Sequence, residues 1–125
     1  MRIHHAAVVC SSETNADRFY NGILGLIKIK SSLLSKPLTE QIFGRAQECQ
    51  IILYGNEHFA IEVFVTTRAQ EKGPLFEHLC LIVEKREEFL KECESSGVEV
   101  KRIPKDDSLV AFVEDYDGNL FEVKE

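Results

Sequence analysis

Apolar and polar positions along the chain fall into short blocks, and the same succession of blocks occurs twice. Residues 3–9 are almost continuously apolar around His4-His5, which predicts a strand. Ser11-Ser12-Glu13-Thr14 then offers side-chain oxygens for the unpaired amides of a first helical turn. Ala16, Phe19, Tyr20 and Ile23 recur at helical spacing, predicting a helix over 13–24 that Gly25 stops. A strand follows over 26–30. Residues 31–46 have weak periodicity and contain Pro37, so they read as a loop or mobile lid with one helical turn. Strands over 50–54 and 59–65 are joined by the turn Gly55-Asn56-Glu57-His58. The polar stretch 66–74, ending in Gly73-Pro74, reads as a linker.

Beyond it the pattern restarts. A strand is predicted over 78–83, and a helix over 84–96 with Phe89, Leu90 and Cys93 on its apolar face and Gly97 at its end. Strands follow over 98–103, 109–113 and 120–123, with Asp115-Tyr116-Asp117-Gly118-Asn119 as the last hairpin turn. The order is βαβββ, repeated. One such unit leaves a sheet face uncovered, which predicts an α+β fold of two paired βαβββ modules around a cleft, within a single domain spanning 1–125. Module one covers about 1–66, the linker 67–74 and module two 75–125. The first copy is longer, and its extra residues fall in 31–46, where a substrate lid would stand.

Composition narrows the function classes. With 44% hydrophobic and 29% charged residues, the 125-residue chain has the balance of an ordinary soluble domain. Its net charge of -6 disfavours nucleic acid and anionic membrane surfaces, both of which call for clustered Lys and Arg. No apolar run approaches the roughly 20 residues of a membrane-crossing helix. With no apolar signal-peptide core at the start either, a cytoplasmic protein is expected. Cys10, Cys49, Cys80 and Cys93 lie far apart and read as free thiols.

The candidate chemistry lies in the repeats. Each copy opens on a strand carrying a His and closes on a strand carrying a Glu: His5 and Glu62, then His78 and Glu122. Alternation puts His5, Ala7 and Val9 on one face, and His78, Cys80 and Ile82 on one face of the counterpart. Glu62 lies between Ile61 and Val63, Glu122 between Phe121 and Val123. A carboxylate in such a setting needs a compensating cation or hydrogen bonds. Taken singly, each residue reads as a solvent-facing His or Glu; their recurrence at matched positions points to a divalent metal. Two imidazoles and two carboxylates suit Zn, Ni, Co, Mn or Fe, with positions left for water or substrate.

The stretches His5-Ala6-Ala7-Val8-Val9, Phe19-Tyr20-Asn21-Gly22-Ile23-Leu24-Gly25-Leu26, Ile61-Glu62-Val63-Phe64, Glu77 to Val83, and Asp115-Tyr116-Asp117-Gly118-Asn119-Leu120-Phe121-Glu122 together resemble the vicinal oxygen chelate superfamily, that of glyoxalases and bleomycin resistance proteins. The resemblance implies His5, Glu62, His78 and Glu122 as metal ligands, with His4 turned to the other face and His58 matching no ligand position. Ser12 stands where that family commonly has Asp, and Tyr116 where Pro is usual. The activity implied is that of a glyoxalase I-like lyase or isomerase acting on a thiol adduct of a 2-oxoaldehyde. Glu122 is the first choice of base and Glu62 the second. An acyl-CoA epimerase using the same residues is the runner-up, followed by an antibiotic-binding resistance protein without catalysis. Ring-cleaving dioxygenase and thiol transferase chemistry need only three ligands, which leaves one carboxylate surplus. A homodimer acting on a small molecule is expected.

Overall fold

The computed structural model of the chain describes residues 4–66 and 78–125. The predicted strand start at Ile3, most of the predicted linker with Gly73-Pro74, and Glu77 lie outside the described residues. The chain forms two compact units, Met1–Ala69 and Gln70–Glu125.

In the first unit, β1 (Ala6–Cys10) leads to α1 (Glu13–Ala16), which runs on as a π-helical segment (Asp17–Ile23). Then come β2 (Ile27–Leu34), α2 (Lys36–Phe43), β3 (Cys49–Gly55) and β4 (Ala60–Val65). In the second, β5 (Leu79–Ile82) is followed by α3 (Arg86–Ser95), β6 (Glu99–Lys105), β7 (Ser108–Glu114) and β8 (Leu120–Lys124). Each unit has one four-stranded sheet, ordered β1-β4-β3-β2 and β5-β8-β7-β6. The first strand of each lies parallel to the last, and the other pairings are antiparallel. The fold is α+β, and the βαβββ order recurs with one helix added to the first copy.

Alternation divides each sheet into two faces. On one face of the first unit Ile52, Tyr54, Ile61 and Val63 are buried, along with Ala16, Phe19 and Tyr20 of the helix; the Tyr20 and Tyr54 rings lie 5.6 Å apart. The second unit repeats this with Ala111, Val113, Phe121 and Val123, together with Leu90 and Cys93 of α3. Fully burying one such side chain is worth about 1.5–3 kcal/mol, so this face supplies most of the unit's stability. The opposite face of each sheet carries Glu62 or Glu122, both only half-buried.

The helix ends depart from each other. Ser12 caps α1, its hydroxyl accepting from the Asn15 amide at 3.1 Å. At the far end the Leu24 amide donates five residues back to Phe19, and that of Leu26 donates to Tyr20, a widened turn made possible by Gly25 at φ 66°. In the second unit Val98 donates to Cys93 and Gly97 to Glu94, with Gly97 at φ 75°, the ordinary glycine-terminated helix end.

The loop predicted over 31–46 is corrected by the structure. β2 continues to Leu34, and α2 occupies Lys36–Phe43. Pro37 does not prevent this, because it falls in the first turn, where an amide has no helical acceptor. Thr39 ties the helix down, its hydroxyl donating to the Gln47 carbonyl at 2.6 Å and accepting from the Gln47 amide at 3.2 Å. The Phe43 ring meets that of Phe64 edge-on at 5.4 Å, so α2 covers part of the Glu62-bearing face.

Candidate metal centre

The two parallel strand pairs place the candidate ligands in the same register. Ala7 stands opposite Glu62, and His5 is two residues before Ala7. Cys80 stands opposite Glu122, and His78 is two residues before Cys80. Each His is thereby set diagonally to its Glu across one strand spacing, on the same face. His5 Nε2 lies 3.5 Å from Glu62 Oε2, and His78 Nε2 lies 3.8 Å from Glu122 Oε2. The carboxylates are the less exposed partners, at 26% and 18%.

The turns before β4 and β8 hold the glutamates' strands in place. Asp115 Oδ1 accepts from the amides of Asp117 (2.9 Å) and Asn119 (2.8 Å), and the Asn119 side-chain amide donates to Oδ2 at 2.7 Å. Gly118 takes φ 82°, closed to most side chains. In the first unit Asn56 Oδ1 accepts from the amides of His58 and Phe59 at 2.9 and 3.1 Å. His58 is therefore a turn residue.

His4 stands beside His5. Its ring meets that of His5, with the two Nδ1 atoms 3.0 Å apart and the rings edge-to-face. One Nδ1 donates to the other, which leaves His5 Nε2 directed at Glu62. Metal-binding imidazoles are held in this way by a partner on the far nitrogen.

Two further neighbours separate the glutamates. Lys124 Nζ lies 3.3 Å from Glu122 Oε1, whereas the corresponding position beside Glu62 is Phe64. His78 also packs edge-on against Phe112 at 5.5 Å. Burial and the Glu122 charge push the Cys80 thiol pKa up, which makes it a poor nucleophile.

The donor chemistry fits a divalent ion. Two ligands each about 2.0–2.2 Å from zinc stand roughly 3–3.5 Å apart, close to both His–Glu separations. Among the described residues, no group of three or more His, Cys, Asp or Glu side chains is gathered tightly enough to hold an ion, so each pair is incomplete within its own unit. Sequence reasoning singled out the four ligand candidates but missed the contributions of His4, Phe43 and Lys124. Lys124 was within its reach, since it follows Glu122 by two positions on one strand.

Comparison with known proteins places these features in context. The sequence model of the Glyoxalase/Bleomycin resistance protein/Dioxygenase superfamily matches residues 2–123. Direct comparison with curated protein sequences returns no match. Among solved structures, a glyoxalase family protein from Bacillus cereus is 18% identical, with a TM-score of 0.76 over 98% of this chain and 92% of its own. The trypanothione-dependent glyoxalase I of Leishmania major is 16% identical, with a TM-score of 0.74 over 100% and 86%. A variant of the fosfomycin resistance protein FosX from Listeria monocytogenes, complexed with Mn(II) and a dihydroxypropylphosphonic acid, is 17% identical, with a TM-score of 0.73 over 98% and 88%. At these identities the likeness is one of fold.

Proposed function

Since the chain belongs to the Glyoxalase/Bleomycin resistance protein/Dioxygenase superfamily, we propose that it is a metal-dependent lyase or isomerase of the glyoxalase I type, taking a thiol adduct of a 2-oxoaldehyde. The observation that carries this reading is the repeated register. In both units a His sits diagonally to a Glu across a parallel strand pair, with Nε2 and Oε2 3.5 and 3.8 Å apart.

In this reading His5, Glu62, His78 and Glu122 together hold one divalent ion, and the two units act as a single domain. When bound, the ion supplies Lewis acidity to neighbouring oxygens of a substrate, which makes the adjacent carbon easier to deprotonate. The remaining work falls to the chain. His5 is held by His4 so that its Nε2 is presented to the site. Glu122 takes the proton from the substrate carbon on one oxygen and returns it to the neighbouring carbon. Phe43 and Phe64 form an apolar wall beside Glu62. A homodimer acting on a small molecule, expected in the cytoplasm, belongs to the same reading.

The test is metal analysis of the purified protein, followed by assay with methylglyoxal and a set of thiols, glutathione included. About one divalent ion per chain and metal-dependent turnover are expected. A metal-bearing protein inactive with every adduct would refute the substrate class, and a protein without affinity for divalent ions would refute the centre itself.

A further inference from the structure

We propose that Lys124 makes the two carboxylates of the centre unequal, so that Glu122 is the ligand held more weakly. This rests on the reading of His5, Glu62, His78 and Glu122 as one metal centre. The two units agree in strand order, in register and in the His–Glu pairing, but they differ at the residue two positions after the Glu. In the register of the parallel pairs, Val9 faces Phe64 while Ile82 faces Lys124. Lys124 Nζ approaches Glu122 Oε1 at 3.3 Å, leaving Oε2 toward His78. Beside Glu62 the same place holds Phe64, covered in turn by Phe43.

An ammonium and a divalent ion compete for the charge of one carboxylate, and they repel each other. Both effects weaken the hold of Glu122 on the ion. Glu62 has the Phe64 ring at the corresponding place, which brings no competing charge to its carboxylate. Lys124 is a positioning residue: it acts on Glu122, and its own side chain is 59% exposed.

The experiment is an equilibrium titration of metal-stripped, full-length protein with Zn(II) alone, in competition with a chelator. For one exposed, partly screened unit charge a few ångströms away, Lys124→Met should bind Zn(II) about three- to tenfold more tightly, and Lys124→Arg should stay within about twofold of the parent. The gain should shrink at high salt, and Glu62→Gln should lose more affinity than Glu122→Gln. Unchanged or weaker binding by Lys124→Met overturns the proposal, as does an equal or larger loss in Glu122→Gln. His5→Ala and His78→Ala separate the two levels. If both keep full affinity, the four-ligand centre falls and this inference with it. If both lose the metal while Lys124→Met gains nothing, only the role of Lys124 falls.

Discussion

At the scale of single residues, the two units repeat one His–Glu pair with different neighbours around it. His5 and His78 occupy the same register, and His5 Nδ1 meets His4 Nδ1 at 3.0 Å. Removing the partner of a metal-binding imidazole commonly costs about 10- to 100-fold in affinity, so His4→Ala should weaken metal binding on that scale without abolishing it. Zn(II) titration of the variant checks this. The glutamates should separate in turnover. An amide oxygen can still coordinate but cannot accept a proton, so Glu122→Gln at saturating metal should lose roughly two to four orders of magnitude in kcat. Steady-state assay of Glu122→Gln beside Glu62→Gln is the test, and a nearly active Glu122→Gln with an inactive Glu62→Gln would reverse the two roles.

Among the elements, the helix start and β2 of the first unit are joined by a polar network. Lys28 Nζ donates to Glu13 and Asp17 at 2.7 and 2.9 Å, and the buried Tyr54 hydroxyl donates to Asp17 at 2.7 Å. Hydrogen bonds from Lys28 and then Gln50 hold the Glu13 carboxyl below its ordinary 4.5. Burial pushes Asp17 up, but the bonds from Lys28 and Tyr54 outweigh it and leave the pKa below the ordinary 3.8. Lys28 is raised above 10.5, by Asp17 first and then by Glu13. Carboxylates with lowered pKa values stabilise the fold above their unfolded values and lose that contribution as pH falls. A raised lysine contributes below its unfolded value and loses that as pH rises. Thermal melting of the protein should therefore shift to lower temperature on acidification below about pH 4.5 and again above about pH 10.5, and Lys28→Met should flatten both limbs. Tyr54→Phe leaves Asp17 short of a buried donor and should cost about 1–3 kcal/mol, measurable by denaturant unfolding.

For the molecule as a whole, duplication gives each unit one His–Glu pair in the same register, and the proposed centre is built from these two pairs. If one ion is held by ligands from both units, chelation should lower the melting temperature, and His5→Ala and His78→Ala should each abolish that response, since a ligand that binds only the folded state stabilises it by mass action. Differential scanning of the protein with and without chelator measures this. The sequence by itself was sufficient for the strand order, the glycine-terminated helices that follow β1 and β5, and the Asp115–Asn119 turn. All of these depend on local periodicity, on backbone conformations open to glycine, or on a repeat visible along one chain. Three features required the tertiary structure. The helix Lys36–Phe43 is anchored by Thr39 to Gln47 and by Phe43 to Phe64, contacts between segments that local periodicity does not report. The His4 ring meets that of His5, a contact between neighbouring side chains that strand alternation does not report. The different surroundings of Glu62 and Glu122 arise because strand pairing sets Phe64 and Lys124 at the same place in two sheets, where an ammonium pairs with the neighbouring carboxylate and an aromatic ring does not.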